Sequence, residues 1–253
     1  MSPLLLNLVL THLSNTPITF NRLATLLVHA VRGSVDEQAA LVVSLASGGG
    51  KSATSGQVVA YVEAVATSYL DAAAQKWTKL PKGQTKQLAV GLCHDLLFPG
   101  RHTKETLLTA ASEALAVSEM EASKWLSAAP VGLLSMQAAI FERLFFGTDP
   151  SAAKDRLLPL CKGLKEGNAS ILDQAAVAFL ASAVPSDFRK EWRFLFSSVI
   201  HGESFSKMLG SVIWQGPTIL VIRDTSGHVF GGFAVENWNT GPKFVGNREI
   251  IYI

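Results

Sequence analysis

The sequence predicts a mainly α N-terminal region followed by a smaller, partial α+β domain, an incomplete β-sandwich with flanking helices. Three observations carry this. Apolar residues recur at helical spacing from residue 3 to about residue 215. Several helix starts carry a hydroxyl residue followed three positions later by Glu or Gln. After Gly216-Pro217 the apolar period changes from 3.6 towards 2.

The N-terminal run Pro3 to Leu10 reads as a helix with proline in its first turn, where the missing N–H costs nothing. It lacks a basic leader and a small-residue cleavage site, and at about ten residues falls short of the roughly twenty needed to cross a bilayer. Leu23, Leu26, Leu27, Ala30 and Val31 form the next stripe, ended by Gly33 as a residue free to turn left-handed. Ser34-Val-Asp-Glu37 then starts another helix as a capping box. Leu41, Val42 and Leu45 lead to Gly48-Gly49-Gly50. Thr54-Ser-Gly-Gln57 restarts a longer helix bearing Val58, Val62, Val65, Tyr69 and Ala73 on one side.

Residues 76–84, with Pro81 and Gly83, read as a linker or exposed loop. Leu88, Leu92, Cys93 and Leu96 make a stripe closed by Pro99-Gly100, and Leu107, Leu108, Ala111 and Leu115 make another. Ser118-Glu-Met-Glu121 caps a helix leading to Trp125. Pro130 sets off the apolar run through Leu134, Phe141, Leu144 and Phe145, expected to be central in the core. Ser170-Ile-Leu-Asp173 opens one more helix, with Ala176, Phe179 and Leu180 inward, before Pro185. Trp192, Leu195, Phe196, Phe205 and Leu209 are assigned to two short helices separated by His201-Gly202. Residues 218–223 and 228–237 read as strands joined by Asp224-Thr-Ser-Gly227, a hairpin turn with glycine at positive φ. Gly231-Gly232 predicts a bulge or a close backbone approach. The expected divisions are a degenerate EF-hand-like helical region at 1–75, a helical region at 76–185, and the α+β part at 186–253.

Composition narrows the function. A chain of 253 residues that is 48% hydrophobic is too apolar for a disordered regulator. Twenty-two basic against twenty acidic residues leave +2 without a Lys/Arg block, so nothing recruits a nucleic-acid backbone, and proteins are the expected partners. Cys93 and Cys161 lie far apart on apolar stretches, which fits a reducing, cytoplasmic compartment.

The stretch Phe194-Leu-Phe-Ser-Ser-Val-Ile-His-Gly-Glu-Ser-Phe205, then Gly216-Pro217, then Gly227-His-Val-Phe-Gly-Gly-Phe-Ala234, resembles the start of a TLDc domain. The family motif falls on His201, Gly202, Glu203, Ser204, Phe205, Gly216, Pro217, Gly227, His228, Val229, Phe230, Gly231, Gly232 and Phe233. Weaker similarity upstream, at residues 33–37, Trp125 and residues 170–173, points to the mTOR-associated branch of the family. The resemblance implies a β-sandwich with helices at its sides, preceded by a helical EF-hand-like region. It also implies a non-enzymatic interaction protein that binds the vacuolar proton-ATPase and mTOR components, peripheral at the lysosomal membrane, with a link to oxidation resistance. That branch commonly begins with a Met-Gly myristoylation signal, whereas Ser2 stands here, so no lipid anchor is expected on this chain. The last residues, 248–253, reach only the opening portion of such a domain, so a fragment, splice variant or incomplete gene model is expected, with a truncated product lacking function of its own as an alternative to the interaction protein.

Other chemistry is weakly signalled. Gly48-Gly-Gly-Lys-Ser52 resembles a P-loop, but Leu45 stands where its first glycine belongs and a helix precedes it. Residues 47–58 contain no Asp or Glu, so an EF-hand there would be held by packing rather than Ca²⁺. The histidines show no metal-ligand spacing, and no cofactor or metal is expected. Cys93 beside His94-Asp95 imitates a nucleophile arrangement but lies on an apolar stripe, as a structural thiol would. His201, Glu203 and Ser204 are the candidates for acid–base chemistry in an alternative, weakly enzymatic reading. Their place at a helix break favours capping instead. Phe230 and Phe233 are assigned to the sandwich core.

Overall fold

The computed structural model describes residues 2–14, 17–73, 81–97, 115–128, 132–152, 156–164, 170–241 and 251–252. It shows a mainly helical N-terminal region followed by a partial α+β part with small sheets.

Helix α1 (Pro3–Ser14) buries Leu5, Val9 and Leu13, one residue per turn. Ser2 starts it: its Oγ accepts from Leu5 N–H at 3.3 Å. Ser2 is itself buried, donating through N–H to Ser68 Oγ at 2.8 Å and through Oγ to the Ala64 carbonyl at 3.2 Å. Helix α2 (Phe20–Arg32) buries Leu26 and Ala30. Gly33 departs from expectation: at φ −60° and ψ 153° it is extended. Glycine is needed there because a Cβ would come within 2.7 Å of the His29 carbonyl oxygen.

The capping box before α3 (Val35–Ser47) forms, with Ser34 N–H donating to Glu37 Oε2 at 2.7 Å and Glu37 N–H to Ser34 Oγ at 3.3 Å. The Ser34 backbone N–H, then the Ser34 hydroxyl, and last the charge of His29 hold the Glu37 carboxyl below its usual range. The left-handed terminator falls at Gly48, φ 73°.

Strand β1 (Ser52–Thr54) leads into α4 (Ser55–Ala73), whose start is closed by Thr54 N–H to Gln57 Oε1 at 2.8 Å and Gln57 N–H to Thr54 Oγ1 at 3.2 Å. Val58, Val62, Val65, Tyr69 and Ala73 are buried as expected. So are Val59, Tyr61, Ala66 and Leu70 on the other sides, making α4 the central helix. Tyr61 Oη donates to Gln137 Oε1 at 2.8 Å, and Tyr69 Oη accepts from Leu157 N–H at 2.8 Å.

The stripe expected across residues 88–96 is split into α5 (Thr85–Leu92) and α6 (His94–Leu97), because Cys93 leaves helical geometry at φ −91°, ψ 6°. The Trp125 indole N–H donates to the Leu92 carbonyl at 3.1 Å, satisfying a terminal acceptor. Pro99, Gly100, Leu107, Leu108, Ala111 and Pro130 lie outside the described residues, and Leu115 is exposed. Strand β2 (Ala116–Ser118) pairs antiparallel with β1, Val117 opposite Ala53. Ser118 N–H donates to Glu121 Oε2 at 2.8 Å at the start of α7 (Glu119–Ala128), which packs on α3.

Helix α8 (Gly132–Phe146) packs on α2 and α4 through Leu133, Met136, Gln137, Ile140 and Phe141. Leu144, expected inside, is exposed, and Phe146 beyond it is exposed too, since the helix runs past the layer it covers. A 3-10 turn (Pro150–Ala152) and β3 (Leu160–Lys162) follow. Helix α9 (Gln174–Ala183) is capped by Asp173, which accepts from Ala176 N–H at 2.7 Å. Its Gln174 and Ala175 N–H groups donate to the carbonyls of Pro81 and Lys82 at 2.9 and 3.1 Å. The buried Arg189 closes the other end of α9, donating from Nε to the Val184 carbonyl at 2.8 Å and from its guanidinium to the Ser182 carbonyl at 3.4 Å.

After a 3-10 turn (Ser186–Phe188), β4 (Glu191–Arg193) runs parallel to β3, Trp192 opposite Cys161. The helix assigned to Trp192, Leu195 and Phe196 is therefore extended: β4, then irregular chain to residue 197. Pairing with β3 takes the backbone donors a helix would have used. Helices α10 (Ser198–His201) and α11 (Phe205–Val212) precede a three-stranded antiparallel sheet of β5 (Thr218–Arg223), β6 (Val229–Ala234) and β7 (Ile251–Tyr252). One apolar core runs from Leu5 to Ala178, crossing the expected division at 75, with Trp192 and Phe194 packed against it.

Candidate functional site

The residues singled out in the sequence cluster on α10, α11 and the β5–β6 hairpin, an exposed part of the molecule. Phe194 and Phe196 lie in the irregular chain between β4 and α10. The His201 ring lies against both, at centroid distances of 6.0 and 5.4 Å and interplanar angles of 29° and 24°. His201 Nδ1 lies 3.0 Å from the Ser197 backbone nitrogen and 3.2 Å from the Ser197 carbonyl oxygen, so the ring is tied back to residue 197.

Gly202, at φ 85°, ends α10, and Ser204 caps α11 by accepting from Lys207 N–H at 3.3 Å. Glu203 is exposed, and among the described residues no bond links it to His201 or Ser204. The three candidates thus sit side by side in the chain, with Ser204 engaged as a cap and His201 turned back to residue 197. Phe205, at the start of α11, is 70% exposed.

Beside Gly216 and Pro217 stands Trp214, a residue that the sequence pattern did not single out. Trp214 is left-handed at φ 58°, a conformation bulky side chains rarely adopt, and its side chain is 66% exposed. Trp214 N–H donates to the Trp238 carbonyl at 3.3 Å, Trp238 Nε1–H to Thr218 Oγ1 at 2.6 Å, and Gly216 N–H to Asn237 Oδ1 at 2.7 Å. Arg193 donates to Gln215. Gly216, at φ 81°, and Pro217 thus turn the chain into β5, with the turn tied by hydrogen bonds to Asn237 and Trp238. The preceding Trp-Gln-Gly-Pro run holds the only available sequence signal.

In the hairpin, Gly227 has φ 87° as expected. His228 Nδ1 lies 2.9 Å from Asp224 Oδ2, a contact that with three backbone N–H groups of the turn holds the Asp224 carboxyl below its usual range. Gly231 and Gly232 pair in register with Val221 and Leu220, so there is no bulge. The close approach is real, for a Cβ at Gly231 would strike the Leu220 carbonyl oxygen. Phe233 is buried and meets Phe188 at 5.7 Å. Phe230, assigned to the core, is 44% exposed, because three positions along a strand reverse the face. Val229 is exposed as well.

Elsewhere, burial pushes the Cys93 thiol far up, as a structural cysteine requires, and His94 pairs with Asp95 Oδ1 at 3.1 Å rather than activating it. The Gly48–Ser52 turn carries Ser47 Oγ bonded to Gly50 N–H at 2.9 Å, a side-chain-closed loop between α3 and β1. Among the described residues, no three His, Cys, Asp or Glu side chains come together. No helix there is long and apolar enough to cross a membrane.

Residues 165–253 match the family model of the TLDc domain, beginning upstream of the expected division at 186. This part of the chain is similar to a TLDc domain. Over 234 residues, 92% of this chain, it is 28% identical to the Danio rerio protein named MTOR-associated protein MEAK7, covering 51% of that relative. It is 46% identical over 94 residues to the Xenopus laevis protein of the same name and 42% over 83 residues to the Homo sapiens one. Those matches cover 37% and 33% of this chain, and 20% and 18% of the relatives. The chain thus spans about half the length of the Danio rerio relative and about a fifth of the other two aligns.

Proposed function

We propose that this chain is a non-enzymatic interaction protein of mTOR signalling, acting on the vacuolar proton-ATPase at the cytoplasmic face of the lysosome. The observation that carries the reading is the exposed apolar rim of the TLDc segment. Val199, Phe205 and Trp214 present their side chains to solvent around a motif whose polar groups serve as caps and turns. Such a rim suits a protein partner better than a small substrate. The shared name of the relatives supports mTOR association, and the β1–β2 pairing between two helix starts supports an EF-hand-like region that holds together without calcium ligands.

The test is co-precipitation of the tagged 253-residue chain from cells, probed for mTOR and for proton-ATPase subunits. Both should be recovered, and recovery should fall several-fold for a Phe205→Ala, Trp214→Ala variant with an unchanged circular dichroism spectrum. Absence of both partners, or equal recovery with the variant, overturns the reading. The alternative, a weakly enzymatic oxidation-resistance protein, requires that His201→Ala abolish a turnover the purified parent shows alone.

A further inference from the structure

The C-terminal end of α1 is tied to α2 by one guanidinium. Arg22 donates to the His12, Leu13 and Pro17 carbonyls at 3.3, 3.2 and 3.1 Å. The first two lie in the last turn of α1, where carbonyls lack helical partners. The half-buried His12 ring stands in the same turn, its Nδ1 3.1 Å from Ser44 Oγ on α3. That hydroxyl serves either form of the ring, since it donates to a neutral nitrogen and accepts from a protonated one. Burial and Arg22 favour one form: first desolvation and then the guanidinium charge work against a cation at His12 and hold its pKa below the ordinary 6.5. Helix α1 packs on α3 and α4, which carry Asp36, Glu37, Glu63 and Asp71, with Tyr61 and Tyr69 on α4 kept neutral by burial. Among the described residues, none of these carboxylates offsets the charge of Arg22 at His12.

The two ends of α1 differ in what holds them. Its start is pinned by hydroxyl and backbone groups alone, Ser2 bonding to Ser68 Oγ and to the Ala64 carbonyl of α4. Its far end carries the histidine. Further along α2, His29 Nε2 lies 3.6 Å from Glu37 Oε1 on α3, so a proton on His29 adds an ion pair between those two helices. Acid thus works against the α1 corner and in favour of the α2–α3 contact.

We propose that α1 is a proton-released latch: a proton on His12 frees its C-terminal half, which swings on Ser2 and uncovers Val9 and Leu13 while α2, α3 and α4 stay packed. Opening returns His12 to water and separates it from Arg22, so the open form binds the proton more tightly. The latch is shut above pH 6.5 and loosens as pH falls from there through the folded pKa of His12.

The test is amide hydrogen exchange of the full chain, read by peptide mass spectrometry from about pH 7 to about pH 5 and corrected for the intrinsic exchange rate. Protection of residues 9–14 should fall several-fold, at most about tenfold per pH unit for a single proton, while the α4 amides keep theirs. His12→Gln should remove the response, and His29→Gln should leave it in place. The parent measurement decides on its own if a variant does not fold. Unchanged protection at α1, a fall shared equally by α4, a response that survives His12→Gln, or one lost with His29→Gln would each overturn the proposal.

Discussion

Tyr61 on α4 and Gln137 on α8 share a 2.8 Å hydrogen bond inside an otherwise apolar core, and Gln137 Nε2 continues it to the Ala30 carbonyl at 3.2 Å. Ala30 lies in the last turn of α2, where carbonyls lack helical partners. One buried glutamine thus joins three helices and satisfies a helix end. Gln137→Leu should cost about 2 kcal/mol in chemical denaturation, because it strands both a hydroxyl and a carbonyl. Tyr61→Phe together with Gln137→Leu should cost less than the sum of the single changes, as expected for partners in one network. Strict additivity would show that the bond is not formed.

His12 couples the α1–α3 corner to pH. Burial first, and then the charge of Arg22, hold its pKa below the ordinary 6.5, while its Nδ1 lies 3.1 Å from Ser44 Oγ. The unfolded chain therefore takes up this proton at higher pH than the folded one. Stability from His12 is intact above pH 6.5 and falls as pH drops from there through its folded pKa. Glu37 and Glu121, whose carboxyls are held below 4.5, add a second loss only at pH below that value. Melting temperature against pH should show the two windows, and His12→Gln should flatten the upper one alone.

Asp173 caps α9 and also fills the space over Gly83, whose φ is 81°. Asp173→Ala should cost about 1 kcal/mol and Asp173→Asn little. Gly83→Ala should cost more than Asp173→Ala, because its Cβ collides with the Asp173 carboxylate and its backbone is left-handed. Urea denaturation of the three variants orders them; an undisturbed Gly83→Ala protein would contradict the packing described.

The thiols should separate cleanly. Cys93 is fully buried with its pKa pushed up by burial, whereas Cys161 on β3 is half-buried. In native protein, iodoacetamide followed by peptide mass mapping should label Cys161 first and leave Cys93 intact. Cys93 labelling should appear only in denaturant.

The helix starts were legible because capping boxes are local chemistry: residues 34–37, 54–57 and 118–121 each contain their own donors and acceptors. The β5–β6 hairpin was legible for the same reason, from alternation and Gly227. What could not be read depends on distant partners. The helix assigned to Trp192 and Phe196 fails because β3, about thirty residues upstream, claims that backbone. Gly33 was read as a turn but is dictated by contact with the His29 carbonyl. At the TLDc surface, residue types were visible in the sequence. The stacking of His201 on Phe194 and Phe196 and the strained Trp214 depend on three-dimensional approach alone.

The β3–β4 pairing bears on how portable the C-terminal part is. Strand β3 ends at Lys162, ahead of the residues that define the TLDc match, while its partner β4 lies within them. A piece excised at residue 165 would carry β4 with a raw, hydrogen-bond-hungry edge and lose the floor beneath Trp192. Anyone transplanting this module into another protein should therefore cut before Leu160, so that the seam travels with it.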